Sequence, residues 1–397
     1  NMQVIQITNS LYGSIGAITK SISFCLTSQN IENTIFISTG KPTHPNTINY
    51  SNSLYKKINA LKSKIDGRYG FDCSFVTQKL IRKLQSNPPD AIILHNIHGH
   101  DLNLKLLFNF LNCNQNIKCY WMFHDLWAFT GGCCYPDDCL QWQIHCKSCP
   151  QKKSFSWFFD SSAFNFELKK EALISSNVHI ICPSKWIADS VSQSFLKEKN
   201  ITILNNGINT NQFRIKHSYL KEKLNITNKK TILYVSNLLA SDKGLDQFIE
   251  LSKAIDDNYV IILIGKLISN LSLPNNIIHI NRTDKIDTLI EFYNIADVFL
   301  NLTTRDNFPT VNLEAQSCGT PVICTNIGGC SETLANKYSI LLKNNNIETI
   351  IDAIYSCEKN EHISVYLHNY AEKFFNNNSN FNQLVNLIKN ECKAIKL

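Results

Sequence analysis

At 397 residues the chain exceeds one ordinary domain and suits two of about 150 to 200 residues each. Its 44% hydrophobic and 18% charged residues describe a globular protein with ample core, and no apolar run of about 18 residues predicts a spanning helix. The net charge of +7 is spread over scattered lysines without a basic block interleaved with aromatics, which excludes nucleic acid as the expected partner. Such mild basicity suits phosphorylated ligands or a peripheral contact with an anionic membrane face. No basic segment followed by an apolar one opens the chain, so secretion is not expected. The fifteen cysteines then imply mostly reduced thiols in a cytosol.

Short apolar runs alternate with helical segments throughout. Val4–Ile7, Thr34–Ile37, Ala91–Leu94, Tyr120–Phe123, His179–Cys182 and Ile201–Leu204 read as buried parallel strands, with crossover helices over Leu102–Leu111 and Ser184–Phe195. A second series follows at Thr231–Val235, Tyr259–Ile264, Ile277–Ile280, Val298–Leu300, Pro321–Cys324 and Ser339–Leu342. Its helices are expected at Leu245–Ala254, Lys285–Ile295 and Ile347–Cys357. Two such series predict an α/β chain of two doubly wound domains, 1–205 and 206–375, with the seam at the Asn205-Asn206-Gly207 turn signal. Ligands of such sheets bind beyond the carboxyl ends of the strands, so two facing domains predict a cleft between them.

The segment RDNFPTVNLEAQSCGTPV at Arg305–Val322 is the most informative. Asp306 lies in a loop and Glu314 eight residues later on the following helix. Pro309 suits the first turn of that helix, and Thr310 is expected to cap free amides. Those amides carry partial positive charge and suit a phosphate. A loop carboxylate can accept from sugar hydroxyls, and one further along the helix can reach a second polyol such as ribose. Together they describe a nucleotide-sugar site.

The arrangement resembles the carboxylate-x7-carboxylate motif of retaining glycosyltransferases of the GT-B fold, in the large family 4 group. In the resembled pattern the first carboxylate contacts the transferred sugar and the second the donor ribose; many relatives have Glu first, where this chain has Asp306. The resemblance implies that Asn307, Phe308, Pro309 and Thr310 surround the donor, and that the Asn281-Arg282-Thr283 loop borders the nucleotide base. It further implies that Lys243, before Gly244, neutralises the departing diphosphate. Leu238 occupies the position where relatives often carry Arg, with Arg305 or Lys266 as candidate substitutes. Gly328-Gly329 would let backbone approach the ligand.

The strings HNIHGHD at 95–101 and HDLWAFTG at 124–131, and the CPQ at 149–151, resemble a subgroup associated with bacterial surface-polysaccharide assembly, and the likeness extends through nearly the whole chain. It implies that His124 lies beside the donor sugar, within reach of the reacting oxygens. His95, His98 and Asp125 would shape the acceptor side; His98 and His100 could instead cap the following helix. Gly13 and Gly16, ahead of a helix, would approach substrate or diphosphate. In the GT-B fold the last helix crosses back to the amino-terminal domain, as expected here for residues 376–397 with apolar spacing at Leu384, Leu387, Ile388 and Cys392.

Cys133, Cys139, Cys146 and Cys149, with Cys134 among them, have spacing at which four thiolates could hold a structural zinc; free thiols or disulfides are the alternatives. No Asp-x-Asp pair for a catalytic metal stands out. The expected activity is transfer of a hexose-type sugar, with UDP the commonest donor nucleotide in the resemblance, to a glycan or lipid-linked acceptor. The rivals are a nucleotide-sugar epimerase, a phosphorylase, and a non-enzymatic glycan-binding or scaffold relative.

Overall fold

The computed structural model describes residues 2–268, 271–283 and 285–395. The chain forms two compact units, Asn1–Asn205 with Phe381–Leu397, and Asn206–Asn380.

In the first unit the chain runs through β1 (Gln3–Thr8), α1 (Gly13–Ser28), β2 (Glu32–Ile37), β3 (Thr47–Asn49), α2 (Ser53–Asp66), α3 (Ser74–Ser86), β4 (Ala91–Leu94) and α4 (Leu104–Cys113). It continues with β5 (Lys118–Met122), α5 (Lys152–Phe155), α6 (Ser162–Ile174), β6 (His179–Cys182), α7 (Lys185–Ser192) and β7 (Ile201–Ile203). The sheet order is β3-β2-β1-β4-β5-β6-β7, with every pair parallel. Alternate residues of one strand enter different cores: Ile92 and Leu94 join one apolar cluster, Ala91 and Ile93 another. Burial on both faces is why these strands read as continuous apolar runs. β3, α2, α3, α5 and α6 are additions to the sequence reading. Asn103 caps α4 by accepting from the Leu106 amide at 3.0 Å, so neither His98 nor His100 takes that role.

The second unit contains α8 (Leu220–Lys223), β8 (Lys230–Leu239), α9 (Leu245–Ala254), β9 (Tyr259–Leu267), β10 (Ile277–Ile280), α10 (Ile286–Ile295) and β11 (Val298–Asn301). Next come α11 (Thr310–Ser317), β12 (Val322–Cys324), β13 (Ile340–Leu341), α12 (Ile347–Ser356) and α13 (Glu361–Phe375). Its sheet, β10-β9-β8-β11-β12-β13, is again all parallel. β8 runs further than its apolar core, through an irregularity between Val235 and Leu238, so Leu238 is a strand residue in register with Lys266.

The last helix, α14 (Asn377–Ile395), starts in the second unit and belongs to the first from Phe381 onward; residues 396–397 lie outside the described part. Phe381, Leu384, Val385 and Ile388 pack with Val4, Ile18 and Ile22 on one face of the first sheet. The ring of Phe381 is fully buried there. Replacing it with Ala should cost about 3–5 kcal/mol through lost apolar contact and the cavity left behind. All five tryptophans precede residue 205, so urea titration followed by tryptophan fluorescence reads this unit selectively. A midpoint unchanged from wild type would show that α14 does not stabilise it.

Candidate active site

Because each sheet is wholly parallel, the loops leaving its strands at their carboxyl ends share one edge. In both sheets the predicted residues gather at that edge, and several flank the point where strand order reverses, β1/β4 and β8/β11.

In the second unit, Asp306 follows β11 in a loop held by main-chain contacts. The Thr304 amide donates to the Asp242 carbonyl at 2.9 Å, and Asp306 itself accepts from the Phe308 amide at 3.3 Å. Lys243 reaches into this loop, donating to the Arg305 carbonyl at 2.9 Å and to Thr303 Oγ1 at 3.3 Å, with Asp306 Oδ2 3.5 Å away. The lysine is therefore tied to the carboxylate loop, and both groups remain partly exposed. Gly328 has φ +57°, and a Cβ built on it would lie 1.8 Å from the Asp306 carbonyl oxygen. Glycine at 328 thus serves a close approach to the Asp306 backbone.

Pro309 is the residue preceding α11 and Thr310 its first residue; no side chain caps this end. Thr310 therefore does not cap, because it already has helical geometry, and only a residue ahead of the helix can turn its side chain back to the free amides. Glu314 lies on the same helix, where Oε2 accepts from the buried Tyr293 hydroxyl at 2.7 Å. Burial raises the Glu314 carboxyl to about 7, against a smaller opposing effect of the Tyr293 hydrogen bond. Arg282 and Thr283 follow β10 at the sheet edge, three strand positions from β11. The Thr283 hydroxyl accepts from the Lys285 amide at 3.1 Å. Asn307 and Phe308 are buried, and Phe308 packs against Phe375.

In the first unit, His95 follows β4 and His124 follows β5. Their rings stack with centroids 5.6 Å apart and planes within 11°. Gln6 of β1 fixes their protons. Its Nε2 donates to the Thr19 carbonyl at 3.1 Å, which turns Oε1 toward His95 Nε2 at 2.9 Å. His95 must therefore donate from Nε2. Burial and the neighbouring His124 hold its pKa well below the usual histidine value, so the ring is neutral and Nδ1 carries a lone pair. That lone pair faces His124 Nε2 at 3.3 Å, which makes His124 the donor and leaves the lone pair of His124 on Nδ1. Burial lowers His124 to about 4, so the ring is neutral at pH 7. His124 is thus arranged with Nδ1 as its acceptor atom.

Beside this pair, His98 Nε2 meets Asp125 Oδ2 at 2.7 Å, and Asp125 Oδ1 accepts from the Trp127 amide at 2.9 Å. Burial alone would lower His98 and raise Asp125; their mutual attraction outweighs it, leaving His98 raised and Asp125 lowered. The Tyr69 hydroxyl lies 3.3 Å from His98 Nδ1. Lys169 is fully buried beneath the loop that follows. It donates to the Trp127 and Thr130 carbonyls at 2.6 and 3.0 Å, and its ammonium lies 3.6 Å from a Trp127 ring centroid. Burial brings this lysine down to about 7. Gly13 and Gly16 lie in the first turn of α1, and a Cβ on Gly16 would meet the Leu11 carbonyl carbon at 2.1 Å. The close approach at Gly16 is thus to its own chain.

The four cysteines considered for zinc are all free thiols, and charge on Cys133 or Cys139 bears on both Cys146 and Cys149. Cys146 Sγ accepts from the Gly131 amide at 3.2 Å, and burial raises Cys133, Cys146 and Cys149 above the ordinary thiol value. Among the described residues, the ligand-type atoms that lie within 4.8 Å of one another are those of His98, Asp125 and Cys134. That trio has the atoms to hold a metal ion, yet the direct His98–Asp125 bond already satisfies both partners. Gln6, Tyr69, Lys169 and Tyr293 were not singled out from sequence. Only Gln6 left a signal there, as an amide inside the apolar strand VIQI.

Two outcomes follow from these protons. With ¹⁵N-labelled histidine, NMR should find the His124 proton on Nε2 and Nδ1 unprotonated in the wild type. In Gln6→Glu the added carboxylate favours a charged His95 that donates to His124 Nε2, so the His124 proton should move to Nδ1; identical spectra would remove the coupling. For Glu314, the raised folded-state value means that the native state binds more protons than the unfolded one between the ordinary carboxylate range and about 7. Stability from this group is full at low pH and lost as pH rises through about 7, so urea titrations of Glu314→Gln should show a shallower decline over that window.

The family model for glycosyl transferases group 1 matches residues 217–374. WcaC of Escherichia coli K12, named for colanic acid biosynthesis, is 26% identical over 254 residues, covering 62% of each chain. A Campylobacter jejuni enzyme, N,N'-diacetylbacillosaminyl-diphospho-undecaprenol α-1,3-N-acetylgalactosaminyltransferase, is 27% identical over 158 residues, 36% of this chain and 41% of its own. These matches span less than two-thirds of the relatives' lengths. Anabaena HepE, solved in complex with UDP, superposes over 98% of this chain and 100% of its own with TM-score 0.69 at 14% identity, which establishes a common fold. With the second sheet and its carboxylate loop inside the matched region, residues 217–374 resemble the glycosyl transferases group 1 family, and the chain has the two-sheet GT-B architecture.

Proposed function

We propose that the chain is a retaining glycosyltransferase that moves a hexose-type sugar from a nucleotide sugar, with UDP as the nucleotide, to a glycan or lipid-linked acceptor in surface-polysaccharide assembly. The observation that carries this reading is the grouping of Lys243, Asp306 and the α11 amino end at the β8/β11 reversal, with Glu314 on the same helix. The names of the relatives add weight: WcaC for the polysaccharide, the Campylobacter enzyme for a lipid-diphosphate acceptor, and HepE for UDP.

In this reading Asp306 accepts from hydroxyls of the transferred sugar and Glu314 from the ribose. Lys243 and the free amides of α11 offset charge on the departing diphosphate. The bond between the anomeric carbon and the diphosphate oxygen breaks, and the acceptor oxygen bonds to that carbon on the same face. The acceptor proton passes to the departing phosphate, so no protein nucleophile is needed. His124 accepts from a sugar hydroxyl through Nδ1, and orientation supplies much of the rate. Leu238 weakens the charge expected around the diphosphate, but Lys266 stands in register with it on the neighbouring strand. That cation favours an active enzyme over a purely binding relative.

A thermal-shift screen against UDP, GDP, CMP, dTDP and their sugar conjugates tests the reading. A rise with UDP or UDP-sugars, lost in Glu314→Ala, is expected because a ligand bound only to the native state stabilises it, by about 2.7 kcal/mol at a hundredfold excess over Kd. No rise with any nucleotide would move the non-enzymatic reading ahead. Conversion of donor without acceptor would favour an epimerase, and dependence on inorganic phosphate a phosphorylase.

A further inference from the structure

Helix α2 exposes its apolar residues. Leu54, Ile58, Leu61 and Ile65 are 41–66% exposed. At about 100° per residue they fall within one narrow stripe, with Lys57 and Lys64 along one flank and Lys62 along the other. A stripe of this kind on a helix normally faces the core; here the core side of α2 is marked instead by buried Asn59 and Ser63. The stripe is extended by a second segment. Trp157, Phe158 and Phe159 are 57–64% exposed and follow Lys152-Lys153. That segment is fastened to the carboxyl end of α2: the Trp157 amide donates to the Lys64 carbonyl at 2.6 Å, Lys64 Nζ to the Ser154 carbonyl at 2.9 Å, and Ser161 to the Asp66 carbonyl at 2.5 Å. The Phe159 carbonyl lies against Gly67, where an added Cβ would come within 2.8 Å of it.

We infer that this surface of the first unit docks on an anionic lipid bilayer, with the aromatic triplet and the α2 stripe entering the headgroup–acyl boundary. Three features select lipid over a protein or a second copy. The apolar groups are unusually exposed and include a tryptophan, which suits the interface between water and acyl chains. The stripe is edged on both sides by lysines rather than by mixed charge, as in helices that lie in the membrane plane. The cations Lys57, Lys62, Lys64, Arg68, Lys152 and Lys153 outnumber the carboxylates Asp66, Asp72 and Asp160 in these segments, a balance complementary to anionic headgroups. No described helix is long and apolar enough to cross a membrane, so attachment through this face would be interfacial. The inference deepens the lipid-linked acceptor reading and rests on it for its purpose, whereas its test requires neither donor nor acceptor.

The test is co-sedimentation of the full chain with vesicles of equal parts phosphatidylglycerol and phosphatidylcholine, and with phosphatidylcholine alone. Binding to the anionic vesicles is expected, weakened by salt. It should fall roughly tenfold in the triple variant Trp157→Ser, Phe158→Ser, Phe159→Ser and also in Lys57→Glu with Lys153→Glu. The substituted side chains are exposed, so circular dichroism should find both variants folded. Wild-type protein left in the supernatant, or variants that bind as well as wild type, would overturn the proposal. A dimer in sedimentation velocity that the aromatic variant dissolves would assign the face to a second copy and overturn it equally. If UDP binding fails while vesicle binding holds, the donor assignment is lost and this surface stands.

Discussion

Parallel pairing is the constraint on which the rest depends. A parallel strand cannot return to its neighbour through a tight turn; the chain must cross over, commonly as a helix, and re-enter the sheet from the same end. Every strand therefore leaves its sheet on one side. Gln6, His95, His124 and Asp125 gather near that edge in the first unit, and Lys243, Asp306 and Gly328 in the second, although they are far apart in sequence. Gly328 illustrates the consequence, since a loop after β12 can press against the backbone of Asp306 after β11 only where two such exits run side by side.

The two edges handle charge differently. In the first unit, burial removes it: His95 and His124 stay neutral and communicate through protons held in fixed places, while His98 and Asp125 cancel each other across a 2.7 Å bond. In the second, charge remains available. Lys243 is anchored by carbonyl and hydroxyl oxygens yet keeps some exposure, and Glu314 sits close to its own titration point. An edge of neutral acceptors suits recognition of hydroxyls, and one with a tethered cation suits a phosphate.

Much of the architecture was legible because burial on both faces writes itself as unbroken apolar runs such as AIIL and HIIC. β3 escaped because it is a three-residue edge strand, TIN, with two exposed positions. α2 escaped for a different reason. Its apolar residues have helical spacing but face outward, so the pattern alone could not tell the element's surface from its core. The carboxylates of the second unit could be read from their motif. Their partners could not, because Tyr293 reaches Glu314 from another helix and nothing in its own neighbourhood announces it. Lys169 was hidden in a run, ELKKEAL, that reads as an ordinary solvated helix face. The cysteine spacing gives separation along the chain but not the direction in which each sulfur points.

Those sulfurs have a practical side. All fifteen cysteines are free, most are buried, and among the described residues Cys113 at the end of α4 is the exposed one. Thiolate is the species that reacts with alkylating probes, and burial disfavours it at most of the interior positions. The chain thus carries a built-in attachment point: brief treatment with a maleimide dye would mark Cys113 first. The label would sit on the first unit, at the end of a helix remote in sequence from the proposed lipid-facing segments, without a cysteine-free background having to be engineered.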